Sequence, residues 1–266
     1  MLKNYATKED FSLLAKKEPE KRLLLALPKK AGRGQGGRIT VRHQGGGAKQ
    51  LYRIIDFGQE KINIKGKVQA LEYDPFRTAF IALIQYADGD KRYILAPSGL
   101  KIGDEIICQD LAELSSGNRM KLKNIQVGSL VYNIEIDPGR GGKLVKSAGT
   151  AAKVLAHEGK YTHLEMPSGE IRKSLQECFA SLGTISRPEH KYMKLGKAGK
   201  SRYRGIRPSI RGTAMNAVDH PHGGGEGKTS TGLKYPKTPW GKPARGVFTR
   251  KRRWTNKFII QRRKKK

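Results

Sequence analysis

Residues 51–109 read LYRIIDFGQEKINIKGKVQALEYDPFRTAFIALIQYADGDKRYILAPSGLKIGDEIICQ. Apolar and β-branched residues fall in short runs, which predicts strands over 51–57, 62–73, 79–86, 92–96 and 105–109. Turn signals separate the runs: Asp74-Pro75, Asp88-Gly89-Asp90 and Pro97-Ser98-Gly99. Five short strands without a long helix between them predict a small closed barrel, because closure removes exposed strand edges. An oligonucleotide-binding-type barrel fits this count, although the count alone does not single it out.

Outward from this stretch, residues 110–129 read as a connector. A second set of strands follows over 131–136, 151–157, 161–165, 170–174 and 180–185, with tight glycine-centred turns at Glu158-Gly159-Lys160 and Ser168-Gly169. That is a second barrel of SH3-like size. Barrels this small need each other, or a partner, for rigidity. On the N-terminal side, 7–17 carries Thr7 and Asp10 at capping-box spacing and predicts a short helix. Residues 28–50 form a basic, glycine-rich arm interrupted by one strand over 38–42. Beyond His190 a short helix precedes extended loops that begin after Gly196. The expected fold class is mainly β. Its parts are a helix and arm (1–50), an oligonucleotide-binding-type barrel (51–125), an SH3-like barrel (126–195) and an extended basic tail (196–266).

Charge narrows the function. The 266 residues hold 54 lysines and arginines against 23 acids, a formal net charge of +31. A compact protein this basic repels itself unless a polyanion neutralises it, and nucleic acid is the obvious one. An anionic membrane would also require an apolar anchor, and no run of 18 apolar residues exists, so no membrane partner is expected. Residues 191–266 carry 23 of the cations and only two acids, Asp219 and Glu226. Alone, such a segment is expected to be irregular; RNA orders it by neutralising it. Trp240, Phe248, Trp254 and Phe258 set it apart from a merely solubilising tail. Cys108 and Cys178 lie in apolar strings (EIICQD, QECFAS), which reads as reduced, buried, inert thiols. The opening residues lack the apolar run of a secretory signal.

Three motifs suggest chemistry and fail on context. Gly32-x-Gly34-x-x-Gly37 spells a dinucleotide fingerprint, but a strand is predicted after it where a helix is required. His222-Gly-Gly-Gly-Glu-Gly-Lys228-Thr229 nearly spells a P-loop, with His where Gly is needed. His220-Pro221-His222 offers two imidazoles without the spaced partners of a zinc site, and nothing in the sequence pairs them with a nucleophile. No metal site and no catalytic residue are expected.

Glycine-punctuated cations instead suit phosphate contacts in crowded RNA grooves. In the N-terminal arm these are Arg33, Arg38, Arg42 and Lys49, with His43 beside them. In the loop DPGRGGKLVKSAG they are Arg140, Lys143 and Lys146. In the tail they are Lys197, Lys200, Arg202, Arg204, Arg207 and Arg211, with Tyr203 able to stack on a base. The turn at His220, His222 and the glycines Gly223, Gly224 and Gly225 brings imidazole and backbone N–H groups onto folded RNA, with Lys228 following. Arg250, Arg252 and Arg253 form a plainer run that neutralises backbone charge. Three readings compete: a structural RNA-binding protein, an enzyme using His220 or His222, and a general nucleic-acid chaperone. Activity in RNA-free protein would mark the second, and lack of preference among RNAs the third.

The strings GRITVRHQGGG (37–47), LYRIIDF (51–57), DPGRGGKLVKSAGT (137–150), GKAGKSRYRGIRPSIRGTAMNAVDHPHGGGEG (196–227) and TPWGKPARG (238–246) together closely resemble the bacterial form of the universal second protein of the large ribosomal subunit. The last string adds Trp240 and Arg245 to the expected RNA contacts. The resemblance implies an oligonucleotide-binding-type barrel, an SH3-like barrel and two arms embedded in large-subunit rRNA. It implies a primary rRNA binder that supports subunit association, tRNA binding and the architecture near the peptidyl transferase centre without catalysing. Its partners would be large-subunit rRNA, other ribosomal proteins and the small subunit at the intersubunit side. It implies no cofactor beyond Mg²⁺ bridging to rRNA. The setting is a cytoplasmic ribosome of bacterial type, with an organelle matrix or stroma as the alternative. The chain departs from the family pattern at Gln44 and Gln50, where a cation is common, and at Ser230-Thr231-Gly232.

Overall fold

The computed structural model describes residues 11–263 and divides into two compact units. Of the described residues, one comprises 11–28, 49–196 and 255–263; the other comprises 29–48 and 197–254.

The first unit is built on two antiparallel sheets. In the first, the strands run in the order Lys91–Leu95, Ile81–Tyr86, Gly66–Glu72, Glu105–Ile106. Ile55 adds a parallel bridge to Tyr93. Four of the five strands expected from 51–109 are these, three of them shortened and one, 91–95, shifted by one residue; Leu51–Arg53, from the fifth, pairs instead with Leu24–Ala26. Gly66 is required for packing, because a Cβ there would lie 2.4 Å from Ile84 Cγ2.

The strand Ile81–Tyr86 is buried along nearly its whole length instead of on alternate residues. The reason is that both of its faces are covered. Ala82 and Ile84 join Val68, Phe80 and Ile94 inside the first barrel. Ile81 and Leu83 point the other way, into a cluster with Tyr93, Leu95 and, from the second barrel, Tyr132 and Ile185. Polar links reinforce this seam: Ser98 N donates to Thr184 O (2.7 Å), Ser186 N to Ala96 O (3.1 Å) and Phe80 N to Ser186 Oγ (3.1 Å). The two small barrels thus supply part of each other's core, which offsets the small core available to either alone.

The second sheet has seven strands in the order Ile259–Gln261, Ile171–Leu175, Tyr161–Glu165, Ala152–Glu158, Leu130–Tyr132, Phe179–Leu182, Arg119–Lys121. Five were expected. Arg119–Lys121 comes from the stretch read as a connector, and Ile259–Gln261 from the end of the tail, where it pairs with Ile171 and Arg172. The core of this barrel is Met120, Leu122, Val131, Ile134, Val154, Leu164 and their neighbours.

Several expectations are corrected. The expected helix over 7–17 forms turns over 11–17, and its first residues lie outside the described residues. The expected strand over 38–42 is reduced to an isolated bridge between Arg33 and Ile39, because glycines on either side curl the chain. Part of the loop after Asp137 is a strand, Gly142–Leu144, paired with Ile134–Glu135. Past Gly196 the chain is not all loop, since Ala198–Tyr203 forms a short α-helix.

Candidate nucleic-acid interface

The second unit has almost no core. Among the described residues every buried hydrophobic side chain lies between Ile55 and Ile185, and the only buried residue of the second unit is His220. Its stretches 29–48 and 197–254 carry twenty lysines and arginines against two acids, Asp219 and Glu226.

Backbone hydrogen bonds do the organising. The N-terminal arm lies along the segment 203–208, about 160 residues away in sequence. Arg207 N donates to His43 O (3.0 Å), Gly45 N to Gly205 O (2.9 Å) and Ala48 N to Tyr203 O (2.9 Å). The His43 ring meets Pro208 O at 3.1 Å through Nδ1. Gly47 is obligatory: its φ is +83° and a Cβ would sit 2.8 Å from Gly205 N. Lys29 Nζ donates to Gly47 O (2.8 Å) and Ala48 O (2.9 Å), so this lysine is spent on holding the arm. Arg33 similarly closes a turn onto Gly37 O (2.8 Å). The Arg42 guanidinium lies 5.5 Å from the centroid of the Trp240 ring. Two residues singled out separately in the sequence are thereby brought together.

The cations of 197–211 line the short helix and the turn after it. Lys197, Lys200, Arg202, Tyr203, Arg204, Arg207 and Arg211 are all exposed, as are Arg38, Lys228, Arg245, Arg250, Arg252 and Arg253. Lys49, on the first unit, is exposed too. Large apolar groups stand out among these charges: Trp240 is 75% exposed, Phe248 84% and Trp254 71%. Aromatic faces interleaved with cations are what base stacking beside phosphate neutralisation needs.

The turn at His220 is a closed device. His222 N donates to His220 Nδ1 (3.0 Å), and Lys237 N donates to His222 Nε2 (2.9 Å). The imidazoles meet edge to face at 4.8 Å. A backbone N–H can only donate, so one nitrogen of each ring is an occupied acceptor, and neither is available there as a general base. Gly212 lies flat on the His220 ring, where a Cβ would come within 2.4 Å of Cε1. Gly223 packs against Asn216 O, Gly224 N donates to Met215 O (3.1 Å), and Gly225 is pressed on Thr229. The expected contact residue His220 is turned into the loop, while Gly225 and Lys228 face outward. No helix follows either glycine-rich string, so neither makes a nucleotide cradle.

The first unit adds a second group of cations at its 137–146 loop. Arg140 and Lys143 are exposed and Lys146 is half-buried. The Lys146 ammonium sits 4.1 Å from the Phe57 ring centroid. Burial, followed by the nearby charges of Arg77 and Lys143, lowers its pKa. Sequence reading missed Arg77. It is held by Asp74 (2.6 Å) and by Tyr52 OH (2.9 Å), and its string DPFRT carries no signal that sets it apart from a turn cation. Elsewhere on this unit acids are matched by local cations. Lys61 hydrogen-bonds Asp88 and Asp90 and holds both carboxyls below the usual range, and Arg92 pairs with Asp56 at 2.8 Å.

Among the described residues no three His, Cys, Asp or Glu side chains converge as metal ligands, and no helix is long and apolar enough to cross a membrane. Two family models match the chain. The RNA binding N-terminal domain of Ribosomal Proteins L2 covers residues 20–108. The C-terminal domain of Ribosomal Proteins L2 covers residues 115–241.

Proposed function

We propose, for a chain that belongs to the ribosomal protein L2 family, that the second unit is its principal rRNA-binding element. The family places the chain in the ribosome as a structural, RNA-binding constituent of the large subunit, not an enzyme, with rRNA and other ribosomal components as partners. Its two barrels are the oligonucleotide-binding-type and SH3-like folds of that family. The observation that carries the finer reading is a unit with twenty cations, two acids and no buried hydrophobic side chain. Backbone hydrogen bonds shape such a unit, but its excess positive charge still calls for a polyanion, and rRNA supplies the neutralising charge.

In this reading the chain works in four parts: an N-terminal arm, two barrels that act as one anchor, and a basic tail. Arg38, Arg42, Arg202, Arg204, Arg207 and Arg211 clamp phosphates; Tyr203 and Trp240 stack. His220 and His222 hold the turn that presents Gly225 and Lys228. The tail lies toward the peptidyl transferase region and supports subunit association and tRNA binding, and the protein meets the small subunit at the intersubunit side. Mg²⁺ ions bridge rRNA phosphates to single exposed carboxylates, Asp219 or Glu226, with no protein cage. The ribosome is cytoplasmic and of bacterial type.

The test is a sucrose gradient of cell lysate at moderate salt and Mg²⁺, with RNA crosslinks mapped. Stoichiometric co-migration with large subunits, and discrete rRNA crosslinks in 196–227, are expected. Even crosslinking to all RNAs would replace this reading with that of a general chaperone.

A further inference from the structure

A buried ion pair at the heart of the second barrel has no evident role in stability. Arg119 is fully buried and Glu135 is 2% exposed. Nη2 of Arg119 donates to Glu135 Oε1 (3.1 Å), and Nη1 donates to Asn133 O (2.8 Å) and Ser181 Oγ (3.3 Å). The guanidinium also lies 5.9 Å from the Phe179 ring centroid. Replacing such a pair with apolar residues of similar size is often neutral or stabilising. Its presence therefore invites another explanation.

That explanation lies in the second carboxylate oxygen. Glu135 Oε2 accepts the backbone N–H of Phe179 (3.1 Å) and that of Gly139 (3.2 Å). Gly139 is in the middle of the 137–142 loop, at φ +72°, directly before the exposed Arg140. The far end of the loop is held by the first barrel. Gly142 N donates to Phe57 O (3.0 Å), and Asn133 Nδ2 donates to the same oxygen (3.1 Å). Gly141 abuts Gly58, with room for a Cβ only 3.3 Å from its nitrogen. Asn133 itself is the residue whose carbonyl Arg119 holds. One buried charge pair thus touches both anchors of the loop.

We infer that Glu135, held by Arg119, is a positioning residue that sets the shape of the 137–142 loop and so fixes where Arg140 presents its charge to RNA. This rests on the reading of that loop as an rRNA contact. The four residues 139–142, fixed at both ends, give a cation one address, whereas a segment with one free end spreads it over many. The carboxylate suits the task because it accepts from a guanidinium and two amides at once.

The test uses the full chain and fragments of its large-subunit rRNA. Glu135→Gln removes the charge, and the double swap Arg119→Met/Glu135→Leu removes the pair without stranding a charge in the core. In the double swap the melting temperature should stay near the parent's. In the double swap, which removes the acceptor oxygen altogether, the Gly139 amide should lose its protection from hydrogen exchange. The slope of log affinity against log salt should fall by about 1, as one phosphate contact is lost. Adding Arg140→Ala to either variant should then change the slope no further. If Gly139 remains protected in the double swap as in the parent, the inference is overturned. It is also overturned if Arg140→Ala lowers the slope in the parent while both pair variants keep the parent slope. If Arg140→Ala leaves the parent's slope unchanged, the RNA reading of the loop fails, and the positioning of the loop is then decided by Gly139 protection alone.

Discussion

Residues 66–185 and residues 197–254 belong to one chain and are held by different forces. The first stretch buries Ile81, Leu83, Tyr93, Met120, Ile134 and Leu164 almost completely. It matches most of its acids with neighbouring cations. The second buries one imidazole and leaves two tryptophans and a phenylalanine in the open. Its order comes from backbone hydrogen bonds between glycine-rich strings, and its charge is left for a partner. The lesson is that a hydrophobic core makes a structure independent of its surroundings, whereas a hydrogen-bonded, core-less unit keeps its charge for a polyanion.

The sharpest way to break this comparison is to exchange the probes. Leu83→Ala, at the seam of the two barrels, should cost about 2–5 kcal/mol, read as a fall in the melting transition. Trp240→Ala should leave that transition within about 0.5 kcal/mol of the parent and lower rRNA affinity instead. A Trp240→Ala protein with a strongly lowered melting temperature would mean that the tail does have a core. Next in size, replacing Arg202, Arg204 and Arg207 together by Gln should flatten the salt dependence of rRNA binding by about 2–3 in slope, with barrel melting unmoved. A smaller effect is expected of Gly47→Ala. The left-handed backbone at that residue costs a side chain about 1–2 kcal/mol, and the added methyl meets Gly205. Hydrogen exchange at the Ala48 amide should speed up while the barrels stay protected. The smallest expected effect is none at all. Burial pushes the Cys108 thiol up to about 11 and the Cys178 thiol up to about 12. Raised values mean that almost no thiolate exists at neutral pH. A thiol reagent at pH 7.5 should therefore label neither cysteine until the barrels unfold, and rapid labelling of the native chain would contradict the closed cores described above.

Most of the barrel architecture was legible because strands buried on one or both faces have apolar patterns that the chain itself displays. The strand Tyr161–Glu165 falls where its residues place it. Arg119–Lys121 was not legible: its three residues are two cations and a methionine, and only the pairing with Phe179–Leu182 makes them a strand. Ile259–Gln261 was hidden in the same way, as a short apolar run in a basic tail. The candidate site was legible as a list of cations but not as an arrangement. Nothing in QGGGAK and RYRGI announces that these strings lie side by side. Glycines carry no side-chain pattern, and backbone N–H and C=O groups are the same in every residue.

By itself the sequence determined the fold class, the concentration of positive charge in the arm and tail, and the family, since composition, apolar periodicity and long specific strings are local properties of the chain. Tertiary structure alone decided that Arg33 and Lys29 close the arm on itself, that His220 faces inward, and that Arg119 and Glu135 are buried at the base of a loop. A charged or polar residue reads identically in sequence whether water, RNA or another side chain answers it. Which of these answers it depends on what the fold brings within 3 Å or so, where hydrogen bonds form.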